Sequence, residues 1–239
     1  MVWGMGLPGS FGAFFPSGDY VGWSDDLDKY FKNEMPTEQK ALFVEDGRFY
    51  SSYAMSKFIH DPGEQMRDYP PFTPIEPHEP PKRFELEKQY KSLGSLIETM
   101  NRILAVDESL KDIIERFEPG VHQFFPLEIS MPFRDNYQTY FENYPKRFFI
   151  LAIGQYIDSF STEQSDPDSW KKPGQISIRY NDDKQSMSGL AFSKKAFGAA
   201  HLWRERCMES PLICFSDTLM AEIKKAGLRL PKHYRLKEI

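Results

Sequence analysis

Five histidines (His60, His78, His122, His201, His233) and two cysteines (Cys207, Cys214) are the side chains best suited to hold a metal or act as a nucleophile. No two histidines stand four apart, the spacing that puts two imidazoles on one helical face for zinc. Six residues separate Cys207 from Cys214, which fits no common zinc knuckle, and Cys214 reads as a small core residue of a strand. His122, just before Gln123-Phe-Phe-Pro126, is expected to make a structural hydrogen bond. Gly4-Met-Gly6-Leu-Pro-Gly9 matches the dinucleotide pattern G-x-G-x-x-G. That chemistry needs a strand before the glycines and a helix after them. Only three residues precede Gly4, and Pro8 and Pro16 break any helix downstream, so the stretch reads as a turn-rich arm. No G-x-S-x-G elbow is present. The acid pairs Asp25-Asp26 and Asp182-Asp183 read as solvated turn residues. Catalytic, cofactor-binding and metal-binding residues are therefore all expected to be none.

The aromatic residues point to binding. Phe, Tyr and Trp number 20, 12 and 4, and several stand among acids: Asp19-Tyr20, Trp23-Ser-Asp25-Asp26 and Asp28-Lys-Tyr30. Tyr and Trp are enriched at interface hot spots, and acids beside them suit a basic partner. Asp19, Tyr20, Trp23, Asp25, Asp26 and Asp28 are the candidate partner-binding set, against the plainer reading that the rings are core. Residues 1–80 carry a net charge of −7 and the remainder +2. An acidic first third argues against nucleic acid as its partner, because phosphates are repelled by acidic faces.

Several elements must position these residues. Ser24 or Asp25 is expected to cap a helix through Leu27, Tyr30 and Phe31 that ends before Pro36. Lys40–Val44 and Arg48–Tyr53 flank Glu45-Asp46-Gly47, a hairpin signal. Pro62, Pro70, Pro71, Pro74, Pro77, Pro80 and Pro81 read as an extended connector, since each removes a donor and restricts φ. A boundary is placed there, dividing an acidic, aromatic-rich region 1–81 from an α+β domain 82–239. Beyond it, Leu93, Leu96, Ile97 and Met100 have helical spacing within a helix from Phe84 to about Met100. A strand over Ile103–Val106 leads to Asp107, which caps a helix with Leu110, Ile113, Ile114 and Phe117 inward, stopped by Pro119-Gly120. Strands are expected at Gln123–Ile129, Arg147–Ile153, Gln175–Tyr180, Met187–Phe192 and Leu212–Phe215, with a turn at Asn181–Lys184. A last helix starts at Ser216-Asp217 and ends at Gly227. Residues 103–110 and 212–219 share one pattern: short apolar strand, polar cap, amphipathic helix.

The chain of 239 residues, 40% hydrophobic and 27% charged, has ordinary globular composition. Two cysteines make no disulfide framework, which favours a reducing, cytoplasmic setting. The longest apolar stretch, Phe148–Ile153, is far short of the roughly 18 residues needed to span a bilayer, and no membrane partner is expected. The N-terminus lacks the basic and apolar regions of a secretory signal.

Three segments carry a family resemblance: Asp107-Glu-Ser-Leu-Lys-Asp-Ile-Ile-Glu-Arg-Phe-Glu-Pro-Gly120, Val121-His-Gln-Phe-Phe-Pro-Leu-Glu-Ile129 and Phe215-Ser-Asp-Thr-Leu-Met-Ala-Glu-Ile-Lys-Lys-Ala-Gly-Leu228. In this order they are similar to a family of bacterial immunity proteins linked to polymorphic toxins. There a capped helix precedes a Q-F-F-P strand, and an S-D-x-L helix ending in A-G-L closes the domain. The resemblance spans roughly residues 100–230 and implies a protein that binds and neutralises a cognate antibacterial toxin by occlusion, without turnover or cofactor. If the toxin is a nuclease, its basic substrate surface matches an acidic inhibitor face. A hydrolase with dispersed carboxylates and a peptide- or carbohydrate-binding adaptor are the alternatives. The expected fold is α+β, a mostly antiparallel sheet with flanking helices and a smaller irregular N-terminal part.

Overall fold

The computed structural model describes residues 1–43, 48–61, 72–135, 137–172, 178–208 and 212–239. The chain opens with strands β1 (Val2–Met5) and β2 (Gly18–Tyr20), then helices α1 (Trp23–Asn33), α2 (Thr37–Lys40) and α3 (Arg48–Ser56). Its middle holds β3 (Arg83–Leu86), β4 (Leu96–Glu98), β5 (Leu104–Asp107), α4 (Glu108–Phe117), β6 (Gln123–Asp135), β7 (Gln138–Asn143) and β8 (Phe148–Ala152). Next come β9 (Tyr156–Ile157), β10 (Trp170–Lys171), β11 (Arg179–Tyr180), α5 (Lys184–Gly189), β12 (Ala191–Phe192) and α6 (Lys194–Phe197). The chain closes with β13 (Leu202–Glu205), β14 (Leu212–Ser216), α7 (Asp217–Lys225) and β15 (His233–Glu238).

The fold is α+β, built on two principal sheets among the described residues. One runs β12-β15-β1-β14-β13-β9; the other runs β2-β3-β6-β8-β5-β4, with β7 added to β6. Pairing is mostly antiparallel, the exceptions being β12 on β15, β13 on β9 and β3 on β6. The core has three layers. Alternate residues of β5 and β8 part company: Ala105, Phe148 and Ile150 face α1 and α3, while Leu104, Val106, Phe149 and Leu151 face the other sheet. In β14, Ile213 and Phe215 join that middle layer, and Leu212 and Cys214 face a third layer with Met187 and Trp203. Strands covered on both faces read as continuous apolar runs.

The repeated strand–cap–helix pattern joins the two sheets. Asp107 caps α4 by accepting from Leu110 N at 3.0 Å, and Ser216 caps α7 by accepting from Leu219 N at 3.2 Å. Leu110, Ile113 and Ile114 of α4 share the middle layer with Leu219, Met220 and Ile223 of α7. Arg116 and Glu222 pair across the two helices at 3.2 Å. Both helices stop as expected: Gly120 and Gly227 take φ of +72° and +67°, where a side chain is strained.

Several expectations fail for physical reasons. Phe84–Met100 is not a helix. Leu93, in the loop before β4, and Ile97 enter the layer under α1 while Leu96 enters the middle one, so the apparent helical spacing joins a loop to a doubly buried strand, β4, and the 3-10 turn at Met100. Arg48–Tyr53 is helical, not a strand; Tyr50, Tyr53 and Ala54 bury one face at helical spacing. The hairpin turn assigned to Glu45–Gly47 lies outside the described residues, as do Pro62, Pro70 and Pro71. Residues 187–189 belong to α5, because Asp183 accepts from Gln185 N and Ser186 N and starts a helix where a turn was expected. Of Gln175–Tyr180, Arg179–Tyr180 forms β11, and 175–177 lie outside the described residues. Of the stretch Gly4–Gly9, Gly4 and Met5 end strand β1, between β14 and β15, and Gly6–Gly9 follow as irregular chain. The described part of the proline connector is packed: Phe72, Ile75 and Glu79 are buried. Strands from both sides of residue 81 share each sheet, β1 with β14 and β2 with β3.

Candidate protein-binding surface

The acidic and aromatic residues near the N-terminus divide into an inward and an outward set. Gly22, with φ +70°, precedes α1 in place of a side-chain cap from Ser24 or Asp25. Trp23, 4% exposed, donates its indole N–H to Glu79 O at 2.7 Å. The Tyr20 hydroxyl bonds Thr99 Oγ1, and its ring packs edge-on against Trp23 and Phe84. Burial pushes the Tyr20 phenol up. Asp28 accepts from Ser51 Oγ at 2.8 Å, tying α1 to α3. Asp19, Asp25 and Asp26 are exposed, with Lys29 and Lys82 each 4.0 Å from Asp26. The structure therefore presents carboxylates here and turns the aromatic rings inward.

Exposed aromatics concentrate elsewhere. Phe133, Tyr137, Tyr140 and Phe141 are four of the ten large apolar side chains that the described residues expose, and all lie on the β6–β7 hairpin. β6 is long enough to leave its sheet: residues 123–127 pair with β8, 128–130 with β3 in parallel, Ser130 also with β7, and 131–135 with β7 alone. Beyond Ser130 the hairpin is a two-stranded arm with both outer edges unpaired among the described residues. Phe133 stands opposite Tyr140 and Pro132 opposite Phe141, so each face carries an aromatic. At the tip, Tyr137 has φ +73° and is fully exposed. Sequence reading placed the root of this strand and missed the arm. Its signal was the cluster of aromatics Phe133, Tyr137, Tyr140 and Phe141 interspersed with polar residues just past Ile129.

Glu118, at the end of α4, sets the sheets against each other. It accepts from His122 Nε2 at 2.7 Å, Gln155 Nε2 at 2.6 Å, His201 N at 2.7 Å and Leu202 N at 2.9 Å. Burial raises its carboxyl pKa, but the hydrogen bonds from His122, the His201 backbone and Gln155 outweigh it, and the net direction is down. His122 Nδ1 accepts from Gly154 N at 3.2 Å, so Nε2 carries the hydrogen that reaches Glu118. His122 is thus a structural hydrogen-bonding residue, as expected.

Two cavities accompany these features. One, about 550 Å³, is lined by Tyr30, Phe43, Tyr50, Tyr53 and the buried ion pair Lys57–Glu79 at 2.6 Å. Its Glu79 is satisfied, one oxygen by Lys57 and the other by Glu76 N at 2.7 Å. The other, about 520 Å³, lies where the end of β4 faces β10, β11 and the loop after β1, and its walls include Glu98, Arg102, Asp168, Trp170, Arg179 and Asp182. Among the described residues no group of three or more His, Cys, Asp and Glu is placed to hold a metal ion. No helix among them is long and apolar enough to cross a membrane.

Comparison with known families matches residues 22–235 to the immunity protein family Imm11, and the chain belongs to that family. The match reaches well before residue 100, taking in α1 and the proline-rich segment as well as the recognised motifs. No curated protein matches the sequence.

Proposed function

We propose that this protein binds a cognate antibacterial toxin domain and neutralises it by covering its active site or substrate path, without turnover, in the cytoplasm of the producing cell. The β6–β7 arm is the observation that carries the reading. A two-stranded ribbon is marginal in water by itself. One that exposes Phe133, Tyr137, Tyr140 and Phe141 has the aromatic anchors from which interfaces draw most of their energy. The exposed carboxylates Asp19, Asp25 and Asp26 are the steering charges for a basic partner, and a nuclease is the toxin class that best fits them. Tyr20 and Trp23 support α1 from within, and Asp28 is held by Ser51.

The test is inhibition of the toxin domain encoded beside this gene. Replacing Phe133 and Tyr140 together with Ser is expected to abolish inhibition and weaken binding by about 100-fold, in line with two hot-spot losses of roughly 1–2 kcal/mol each. The unfolding midpoint stays within about 0.5 kcal/mol of the parent, as for other exposed positions. Undiminished inhibition by this variant removes the arm from the interface. Asp19, Asp25 and Asp26 changed together to Asn are expected to slow association and flatten its salt dependence, with little change in dissociation.

A further inference from the structure

The arm leaves the cleft at Glu98 unexplained, and two residues that line that cleft, Glu98 and Trp170, each hold a buried polar atom that lacks a partner. Oε2 of Glu98 and Nε1 of Trp170 have no hydrogen-bond partner among the described residues, and Glu98 is only 5% exposed. A buried polar atom without a partner costs about 1–3 kcal/mol. One orphan here needs a donor and the other an acceptor. The walls carry both signs, with Glu98, Asp168 and Asp182 against Arg102, Lys171 and Arg179. A cation entering meets three cationic side chains, and an anion meets three carboxylates. A neutral group that both donates and accepts meets neither conflict.

We infer that this cleft is a second contact site for the toxin and takes an extended peptide segment of it, one backbone amide donating to Glu98 Oε2 and one carbonyl accepting from Trp170 Nε1. This rests on the immunity reading above. The volume, about 520 Å³, lies within the range of roughly 300–1,000 Å³ common to ligand sites. The wall is held at a cost: Asn101 and Arg102, consecutive and neither of them glycine, have φ of +59° and +60°. Such conformations persist where the surroundings impose them, and they cluster at binding sites. Thr99 donates from its Oγ1 to Ile103 O at 2.9 Å and clamps that turn. Burial also pushes the Glu98 carboxyl up to about 7, against the opposing pull of Arg102 and Arg204. A carboxylate short of donors behaves in this way. The aromatic pocket beside Lys57 offers no comparable vacancy, because its Glu79 is already paired.

Trp170→Phe keeps an aromatic ring against Phe160 but removes the N–H together with the five-membered ring that carries it; Glu98→Met keeps the length of the side chain and removes the orphaned oxygen. Each variant is expected to weaken binding of the toxin domain by about 5–10-fold in calorimetry, the worth of one hydrogen bond. Glu98→Met is not expected to lower the midpoint of urea unfolding, whereas Trp170→Phe loses some packing against Phe160; Glu98→Met is therefore the variant that separates binding from folding. In hydrogen exchange of the complex, residues 96–104 and 168–171 gain protection. Parental affinity in both variants, or no added protection at these residues, overturns the inference while leaving the immunity reading intact. A matching fall in affinity and unfolding midpoint in Glu98→Met assigns that residue a structural role and also overturns it. Failure of the toxin domain to bind the parent chain at all removes both readings together.

Discussion

Glu98 and Glu118 are two buried carboxylates with opposite environments, and pH separates them. Four donors converge on Glu118 and hold its folded pKa below the unfolded value. Its contribution is therefore present above the unfolded pKa, near 4.5, and is lost as pH falls through the lower folded value. Glu118→Gln replaces one acceptor oxygen with an NH2 that faces donors. It is expected to cost about 2–4 kcal/mol at pH 7 in urea unfolding, with the gap to the parent narrowing in acid. Glu98 runs the other way. Its folded pKa, about 7, lies above the ordinary 4.5, so parental stability falls as pH rises between those values. Glu98→Met is expected to raise the unfolding temperature by roughly 2–4 °C at pH 8, equivalent to about 1 kcal/mol, and by little at pH 4. A variant less stable than the parent at pH 8 contradicts that account.

The paired helices and the projecting arm differ in what holds them. Each paired helix is started by a side chain that satisfies a backbone donor, and each buries one face in the layer between the sheets. Ser216→Ala is expected to cost about 1 kcal/mol, the usual worth of such a cap. Asp107→Ala costs more, because Asp107 also meets Lys146 at 3.2 Å. Among the described residues the arm has no comparable support beyond Ser130. Backbone amides of residues 133–135 and 138–141 are expected to exchange faster than those of β8 in the free protein, and to slow when toxin is bound. Equal exchange in the free and bound states excludes the arm from contact.

Across the whole molecule, the acidic first third and the remainder are tied by shared sheets. β1 fills the place between β14 and β15, and Glu79, within the proline-rich segment, takes the Lys57 ammonium and, through its carbonyl, the Trp23 indole. A fragment of residues 82–239 loses β1 and β2 and exposes unpaired edges on β14, β15 and β3, a recipe for aggregation. It is expected to be insoluble or to unfold without a cooperative transition in circular dichroism. A soluble fragment with a sharp transition establishes residues 82–239 as an independent unit.

Local chemistry made part of this protein legible from its residues alone. Asp107 and Ser216 announce caps, Gly120 and Gly227 announce stops, and Leu110–Ile114 and Leu219–Ile223 show an apolar stripe, because caps, φ preferences and helical faces depend on neighbours a few positions away. The α+β class and the resemblance to immunity proteins come from the order of those pieces. Tertiary structure decided the rest. Whether Leu96–Glu98 is strand or helix depends on which layers cover its two faces, and whether Tyr20 and Trp23 meet a partner or the core depends on where Thr99 and Glu79 arrive. The meeting of four donors at Glu118, the orphaned oxygen of Glu98 and the escape of the arm from its sheet all arise between residues distant in the chain. Periodicity records how much of an element is buried; it carries no information about what does the burying.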